Sequence, residues 1–377
     1  MKTRIAFPSI AALVSLLGTA ACGVTVSDVF TPTDSGTPSD GGATEDVAPP
    51  EFPDAAVTDV GAPVSKGFFL LATNTPASPA ADGSNWLGVQ RFDFDDDYAP
   101  PVAGVGMPKS TQAPFAIRDP AALTFRWASA EVFVTNRGGN LAGNSSISKF
   151  AYDAKTQTFG PGSVVVSGYS GLHQMTFNRT QDEMFVGTNN EGMRRFKLTN
   201  NAWVEQPQPV GAPHWIRGVA VSPDGKRLYA STAGSVIRQW DLTTNQELTA
   251  VTVPDNQALL HFMTLCGPPM GNMTTGCSPA RLYVGDAKSN GTQSVYSFEI
   301  DSNDDLVNRK TVTAAPSFSV ALSPDGKELF SGQSGADKIQ RFTPSGSSWV
   351  SQSSITAASN IGTILIFPKN AVPVPPN

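Results

Sequence analysis

Cysteine and histidine are scarce in this chain, three of each in 377 residues, which excludes a disulfide-dense miniprotein. Charge is sparse too: Asp, Glu, Lys and Arg make up 15%, where about a quarter is usual. The 26 Lys and Arg against 32 Asp and Glu leave a net charge of −6, so no basic surface exists to hold nucleic acid. After the first 25 residues no run of 18 apolar residues occurs, which excludes a bundle of membrane-spanning helices. The common catalytic signatures are missing as well. There is no phosphate-cradling glycine loop, no His-Glu-x-x-His and no Gly-x-Ser-x-Gly. What is present is 40% hydrophobic residues with 34 glycines and 30 prolines. Such a chain is too apolar to stay wholly disordered, and it has material for one sizeable core with appendages.

The N-terminus reads as an export signal. Lys2 and Arg4 precede an apolar run from Ile5 to Leu17, then the small residues Gly18-Thr19-Ala20-Ala21 and Cys22. The run is too short to span a bilayer. Residues 23–65 carry eight carboxylates (Asp28, Asp34, Asp40, Glu45, Asp46, Glu51, Asp54 and Asp59) and no Lys or Arg. A segment of low hydrophobicity and one-signed charge cannot offset its ordering entropy, which predicts a disordered, self-repelling linker. Its random-coil span is roughly 35–40 Å. With the signal and linker removed, the remaining chain is electrically neutral.

A six-residue pattern then recurs: apolar, two variable residues, aromatic, variable, usually apolar. It runs through Val89–Phe94, Ile147–Tyr152, Met193–Leu198, Ile237–Leu242, Val295–Ile300 and Ile339–Pro344. A second pattern lies about 20 residues before most copies. Val219-Ala-Val-Ser-Pro-Asp-Gly-Lys-Arg-Leu-Tyr229 and Val320-Ala-Leu-Ser-Pro-Asp-Gly-Lys-Glu-Leu-Phe330 are nearly identical, with weaker relatives at 123–133, 175–185 and 263–284. The Pro-Asp-Gly core suits a tight turn, and β-rich runs flank it. Four antiparallel strands per unit of ~45 residues is the arithmetic of a β-propeller blade. Residues 67–73 read as a second strand without a first, and 361–368 as a first strand without a second. Joined in one blade they close the ring and protect its edges. The expected fold is therefore all-β, a propeller of six four-stranded blades over residues 66–369, with a loose tail at 370–377. Seven blades, the extra one within 99–117, is the alternative.

Two family resemblances accompany these patterns. The residues around Cys22 resemble a bacterial lipoprotein signal, which implies cleavage after residue 21 and lipidation of Cys22. Gly23 following the cysteine implies the outer membrane of a Gram-negative cell envelope. Two or more lipid chains, each contributing about 0.8 kcal/mol per buried CH₂, would hold the chain at the membrane stably. The two Ser-Pro-Asp-Gly stretches and Gln239-Trp240-Asp241-Leu242 resemble the propeller repeats of the YVTN, WD40-like and lactonase-like families over roughly residues 67–368. Those families include scaffolds, binding proteins and a few enzymes, so the resemblance implies the fold and leaves the activity open.

Cys266 and Cys277 both fall in an insertion of the fifth unit, and an exported chain permits the expected disulfide between them. Aligning the first strands places His173, Arg217 and His261 at one position in three consecutive blades. Ala121, Phe318 and Gly362 are their equivalents elsewhere. His214 and Trp215 lie just upstream of Arg217, and Arg118 and Asp119 occupy the same places in another blade. First strands line a propeller's channel, so these groups should gather at one mouth. Two imidazoles and a guanidinium can bind a carboxylate or phosphate, or supply acid/base and electrophile for lactone opening; they can equally fill the channel as structural polar groups. The alternating acids Asp93, Asp95, Asp97 and Asp301, Asn303, Asp305 lack the glycine and glutamate of a calcium loop and read as turn acids, so no metal and no cofactor is expected. The functional expectation is a membrane-anchored binding module for a protein, peptide or glycan partner. A lactonase-like hydrolase using the same mouth is the alternative.

Overall fold

Each copy of the sequence repeat becomes one small antiparallel sheet. The computed structural model describes residues 67–74, 88–94, 119–138, 143–189, 191–206, 214–253, 258–266, 277–287, 295–313, 317–333, 338–345, 348–357, 361–369 and 371–373. The signal, the linker and the segment 99–117 lie outside them. Among the described residues there are strands and no α-helix. The chain begins with β1 (Phe68–Asn74) and β2 (Val89–Phe94). The next sheet holds β3 (Pro120–Arg126), β4 (Glu131–Asn136) and β5 (Ser145–Asp153), with β6 (Thr158–Phe159) and β7 (Ser163–Tyr169) both on β5. Three four-stranded sheets follow: β8 (Leu172–Phe177), β9 (Glu183–Thr188), β10 (Met193–Thr199) and β11 (Ala202–Glu205); β12 (Ile216–Val221), β13 (Arg227–Thr232), β14 (Val236–Asp241) and β15 (Gln246–Thr252); β16 (Leu260–Cys266), β17 (Arg281–Asp286), β18 (Val295–Ile300) and β19 (Leu306–Thr313). The sixth run has β20 (Ser319–Leu322), β21 (Leu329–Gly332), β22 (Lys338–Ser345) and β23 (Ser348–Ser351), with β24 (Ile355–Thr356) also on β22.

The last strand, β25 (Ile361–Pro368), pairs with β1, so the remaining sheet runs β25-β1-β2. Phe68 stands opposite Pro368 and Asn74 opposite Ile361. The two leftover strands thus close the ring as their sequences required, and six blades complete it, not seven. The six inner strands β3, β8, β12, β16, β20 and β25 touch one another in succession around the channel.

One cross-strand pair recurs in every blade. The central aromatic of the repeat lies in register with an aliphatic residue of the second strand: Phe92 with Leu70, Phe150 with Val132, Phe196 with Met184, Trp240 with Leu228, Phe298 with Leu282 and Phe342 with Leu329. All twelve are buried. Facing pairs of this kind are the unit of sheet stabilisation, which explains why the aromatic survives in every copy of the pattern. The run Phe68-Phe-Leu-Leu-Ala72 is apolar without alternation because both faces of β1 are covered. Phe69 and Leu71 pack with Phe125 and Tyr152 of one neighbouring blade, and Phe68, Leu70 and Ala72 with Phe330 of the other.

The Ser-Pro-Asp-Gly turns form a small hydrogen-bonded device. Asp224 Oδ1 accepts from Ser222 Oγ at 2.7 Å and from the Lys226 N–H at 2.9 Å, while Ser222 Oγ accepts the Arg227 N–H at 2.9 Å. Asp325, Ser323, Lys327 and Glu328 repeat it. Gly225 and Gly326 stand at φ +80° and +69°, a conformation that glycine adopts without steric cost.

Candidate functional site

The position that aligned His173, Arg217 and His261 is a β-bulge. Pairing between the first and second strands slips from Pro120 to Ala122, from Leu172 to Met175, from Ile216 to Gly218 and from Leu260 to Met263. A bulge frees one residue from the ladder and re-aims its side chain, and here it does so near the start of consecutive inner strands. The exposed backbone N–H groups need partners, and hydroxyls on the second strand supply them. Thr135 Oγ1 accepts the Ala122 N–H at 2.9 Å, Ser231 Oγ the Gly218 N–H at 2.8 Å, and Thr73 Oγ1 the Thr363 N–H at 2.7 Å. The remaining blades carry Gly187, Gly285 and Gly332 at this place. A Cβ on Gly187 would lie 2.5 Å from the Ile216 carbonyl oxygen. The alternation of Ser, Thr and Gly near the end of each second strand was therefore a readable signal of the bulge, and the sequence reading did not use it.

The aligned groups do converge, in two linked pairs. Arg217 donates from Nη1 to His261 Nε2 at 2.7 Å, which fixes His261 as a neutral imidazole with its proton on Nδ1. His173 donates from Nε2 to Asn189 Oδ1 at 2.6 Å, and Trp215 Nε1 donates to the same oxygen. The Arg217 guanidinium lies 4.9 Å from the Trp215 ring centroid, within cation–π range, and the His261 ring packs against Phe318 with centroids 4.0 Å apart and the planes tilted by 41°. Asp119 belongs to the same neighbourhood through its 3.2 Å ion pair with Arg137. Its φ of +51° and the Arg137 N–H bond to its carbonyl hold it there. His214, with Trp215, Thr232, Ala233, Val236 and Arg238, lines an adjoining depression of about 260 Å³. Arg118 lies outside the described residues. Arg137 and Asn189, both just past the end of a second strand, are site residues that the alignment of first strands did not reach.

Electrostatically the cluster is an unbalanced cation. Burial drives the His173 pKa down to about 3, and the Arg217 and Arg137 charges add to the fall, against the Asn189 hydrogen bond. Burial likewise holds His261 well below the usual histidine range, with Arg217, His173 and Arg137 contributing. Both imidazoles are neutral at ordinary pH. Burial and the nearby Arg137 also lower the Arg217 pKa. Asp119 answers Arg137, but among the described residues no carboxylate pairs with Arg217. Its Nε is buried and makes no hydrogen bond.

Gln174 floors the site. Its amide spans three blades, donating to Met263 O at 2.6 Å and accepting from the N–H groups of Met263 at 2.9 Å and Val219 at 3.1 Å. Beyond it lies a cavity of about 200 Å³ whose walls include Leu123, Met175, Val219, Met263, Val320 and Ile364, one from each inner strand.

Three solved structures share this architecture. A putative 6-phosphogluconolactonase from Bacteroides fragilis superposes with a TM-score of 0.56 at 12% identity, covering 81% of this chain and 99% of its own. A putative 6-phosphogluconolactonase from Bacteroides uniformis gives 0.55 at 13%, covering 80% and 100%. A protein from Lactobacillus plantarum gives 0.52 at 11%, covering 80% and 99%. At such identity the likeness is one of fold alone. No protein-family model matches the sequence, and no curated protein does.

Cys266 and Cys277 are joined, with Cα atoms 5.6 Å apart. Asp301 Oδ1 accepts the N–H groups of Asn303 and Asp305 at 2.8 and 2.9 Å, an Asx-type turn. Asp95 and Asp97 lie outside the described residues. No described group of three His, Cys, Asp or Glu could hold a metal ion. Arg194 pairs with Glu191 and Glu205, and Arg195 with Glu183.

Proposed function

We propose that this protein is a lipid-anchored envelope component whose propeller binds a partner at the mouth formed by Arg217, Trp215, His173, His261, Asn189 and Arg137. The observation that carries this reading is Arg217, a half-buried guanidinium with no carboxylate partner among the described residues. Desolvating an uncompensated charge is costly; an arriving anionic group offsets that cost.

The alternative, a lactone hydrolase, draws on the name of two structural neighbours and on His173. The Nδ1 of His173 has no partner among the described residues and could accept a proton. Its depressed pKa makes it a weak base near neutrality, while the lone pair of His261 is already engaged by Arg217. Binding is therefore the better-supported role. The test is capture of envelope partners by the full chain and by a His173→Ala/Arg217→Met/His261→Ala variant, with lactone turnover assayed on both. Loss of capture without turnover is the expected result. Undiminished capture by the variant, or turnover that the variant abolishes, overturns it.

A further inference from the structure

We infer that the group recognised at this mouth is the carboxylate of an acidic sugar, with Arg217 reading the acid and Trp215 the ring; this rests on the mouth being the binding site. The guanidinium is spent on one side only. Nη1 is taken by His261 at 2.7 Å, whereas Nη2 has no bond among the described residues. Nη2 is therefore the donor left for a carboxylate oxygen, in a charge-assisted hydrogen bond. No carboxylate pairs with Arg217 among the described residues, the nearby Asp119 being held by Arg137, which makes an anion the favoured occupant.

The size and lining of the neighbouring space select what carries the acid. Trp215 is 41% exposed although its indole N–H is anchored on Asn189. It forms a wall of the depression that also holds His214, Thr232 and Arg238. An anchored, solvent-facing indole offers an apolar face beside polar groups, the surface on which the C–H face of a pyranose rests while its hydroxyls meet hydrogen-bonding side chains. At about 260 Å³ the depression falls just below the ~300–1,000 Å³ of typical small-molecule pockets. That accommodates one ring at a chain end rather than an extended ligand.

Calorimetric titration of the full chain in detergent with sodium glucuronate tests this, with glucose, acetate and inorganic phosphate as comparison probes. Glucuronate should bind at least about tenfold more tightly than each of the three. Arg217→Met and Trp215→Ala should each weaken it about tenfold or more, Trp215→Phe should restore part of the loss, and Arg281→Met, opposite Cys266 at the end of β16 away from the bulge, should leave it unchanged. Glucose binding equally well would remove the acid from the proposal, and acetate binding equally well would remove the ring. Tighter phosphate binding would make the site a phosphate site, and absence of glucuronate binding would overturn the inference outright. If glucuronate fails while the triple variant still loses its envelope partner, only the ligand class falls. If the triple variant keeps its partner, the mouth itself was wrongly chosen.

Discussion

Replacing Arg341 by Met should be among the most damaging single changes outside the aromatic core. Arg341 and Glu328 pair at 2.7 Å with side chains only 7% and 6% exposed. Arg341 also lies 5.7 Å from the ring of Phe94 in the closing blade. Burial holds Glu328 above the usual carboxylate range even though Arg341 opposes the shift. Removing the arginine leaves a desolvated carboxylate, a loss of about 3–5 kcal/mol for buried pairs. At about 2–4 °C per kcal/mol for domains approaching this size, the midpoint of thermal unfolding should fall by about 6–20 °C at pH 7. The pH dependence gives an internal control. A raised folded-state pKa means that the folded protein binds a proton the unfolded chain does not, so the stability lost above that pKa returns as pH falls below it. The gap between Arg341→Met and wild type should therefore narrow near pH 4.5. A Glu328→Leu/Arg341→Met double variant should recover most of the loss, because a well-packed apolar pair often matches a buried ion pair. Circular dichroism melts of the three proteins decide it. A single variant within about 0.5 kcal/mol of wild type would refute the reasoning, as would a double variant no better than the single.

Other sites make sharper demands on pH and redox state. Burial and the hydrogen-bonded carboxylate of Asp224 raise the Asp304 pKa to about 6. Burial also pushes Asp224 upward, but hydrogen bonds from Asp304, Lys226 and Ser222 outweigh it and hold Asp224 low. Stability contributed by Asp304 should fall as pH rises from its ordinary value near 4 through 6. Asp304→Asn, which keeps a donor and tolerates the φ of +60°, should flatten that decline; a melting profile parallel to wild type would count against it. Reduction of Cys266–Cys277, or a double Ser variant, should remove about 2–3 kcal/mol for so short a loop and lower the melting midpoint by several degrees; an unchanged midpoint denies the disulfide a structural role. His173 and His261 should show no titration between pH 5 and 8 in imidazole NMR spectra. Their depressed pKa values contribute stability above pH ~6.5 that is lost as pH falls below it, and a titration near 6.5 would place them in solvent.

Much of the fold was legible because a propeller writes itself into the chain at a fixed period. The six aromatics, the Ser-Pro-Asp-Gly turns and the two unmatched terminal strands were enough to place the blades and the closing seam. Each is a local requirement repeated in every unit, with the seam the one long-range consequence. The alignment of His173, Arg217 and His261 belonged to the same periodic information, since equivalent positions in consecutive blades meet around one axis. Arg137 and Asn189 did not, because they sit just beyond their strands, where the period no longer constrains residue type. The role of Gln174 was hidden for another reason: its partners are backbone groups of strands 45 and 89 residues away, and any sequence offers such groups.

The sequence by itself determined the ring, the likeness of its units, the position of its seam and the neutrality of the folded part. These follow from residue pattern and composition, which act locally and sum along the chain. Only the tertiary structure decided that the neutral domain carries an unanswered positive charge at one mouth. Charge balance over a whole chain says nothing about where opposite charges meet. Asp119 was spent on Arg137, and Arg217 was left stacked on Trp215 with no carboxylate partner among the described residues.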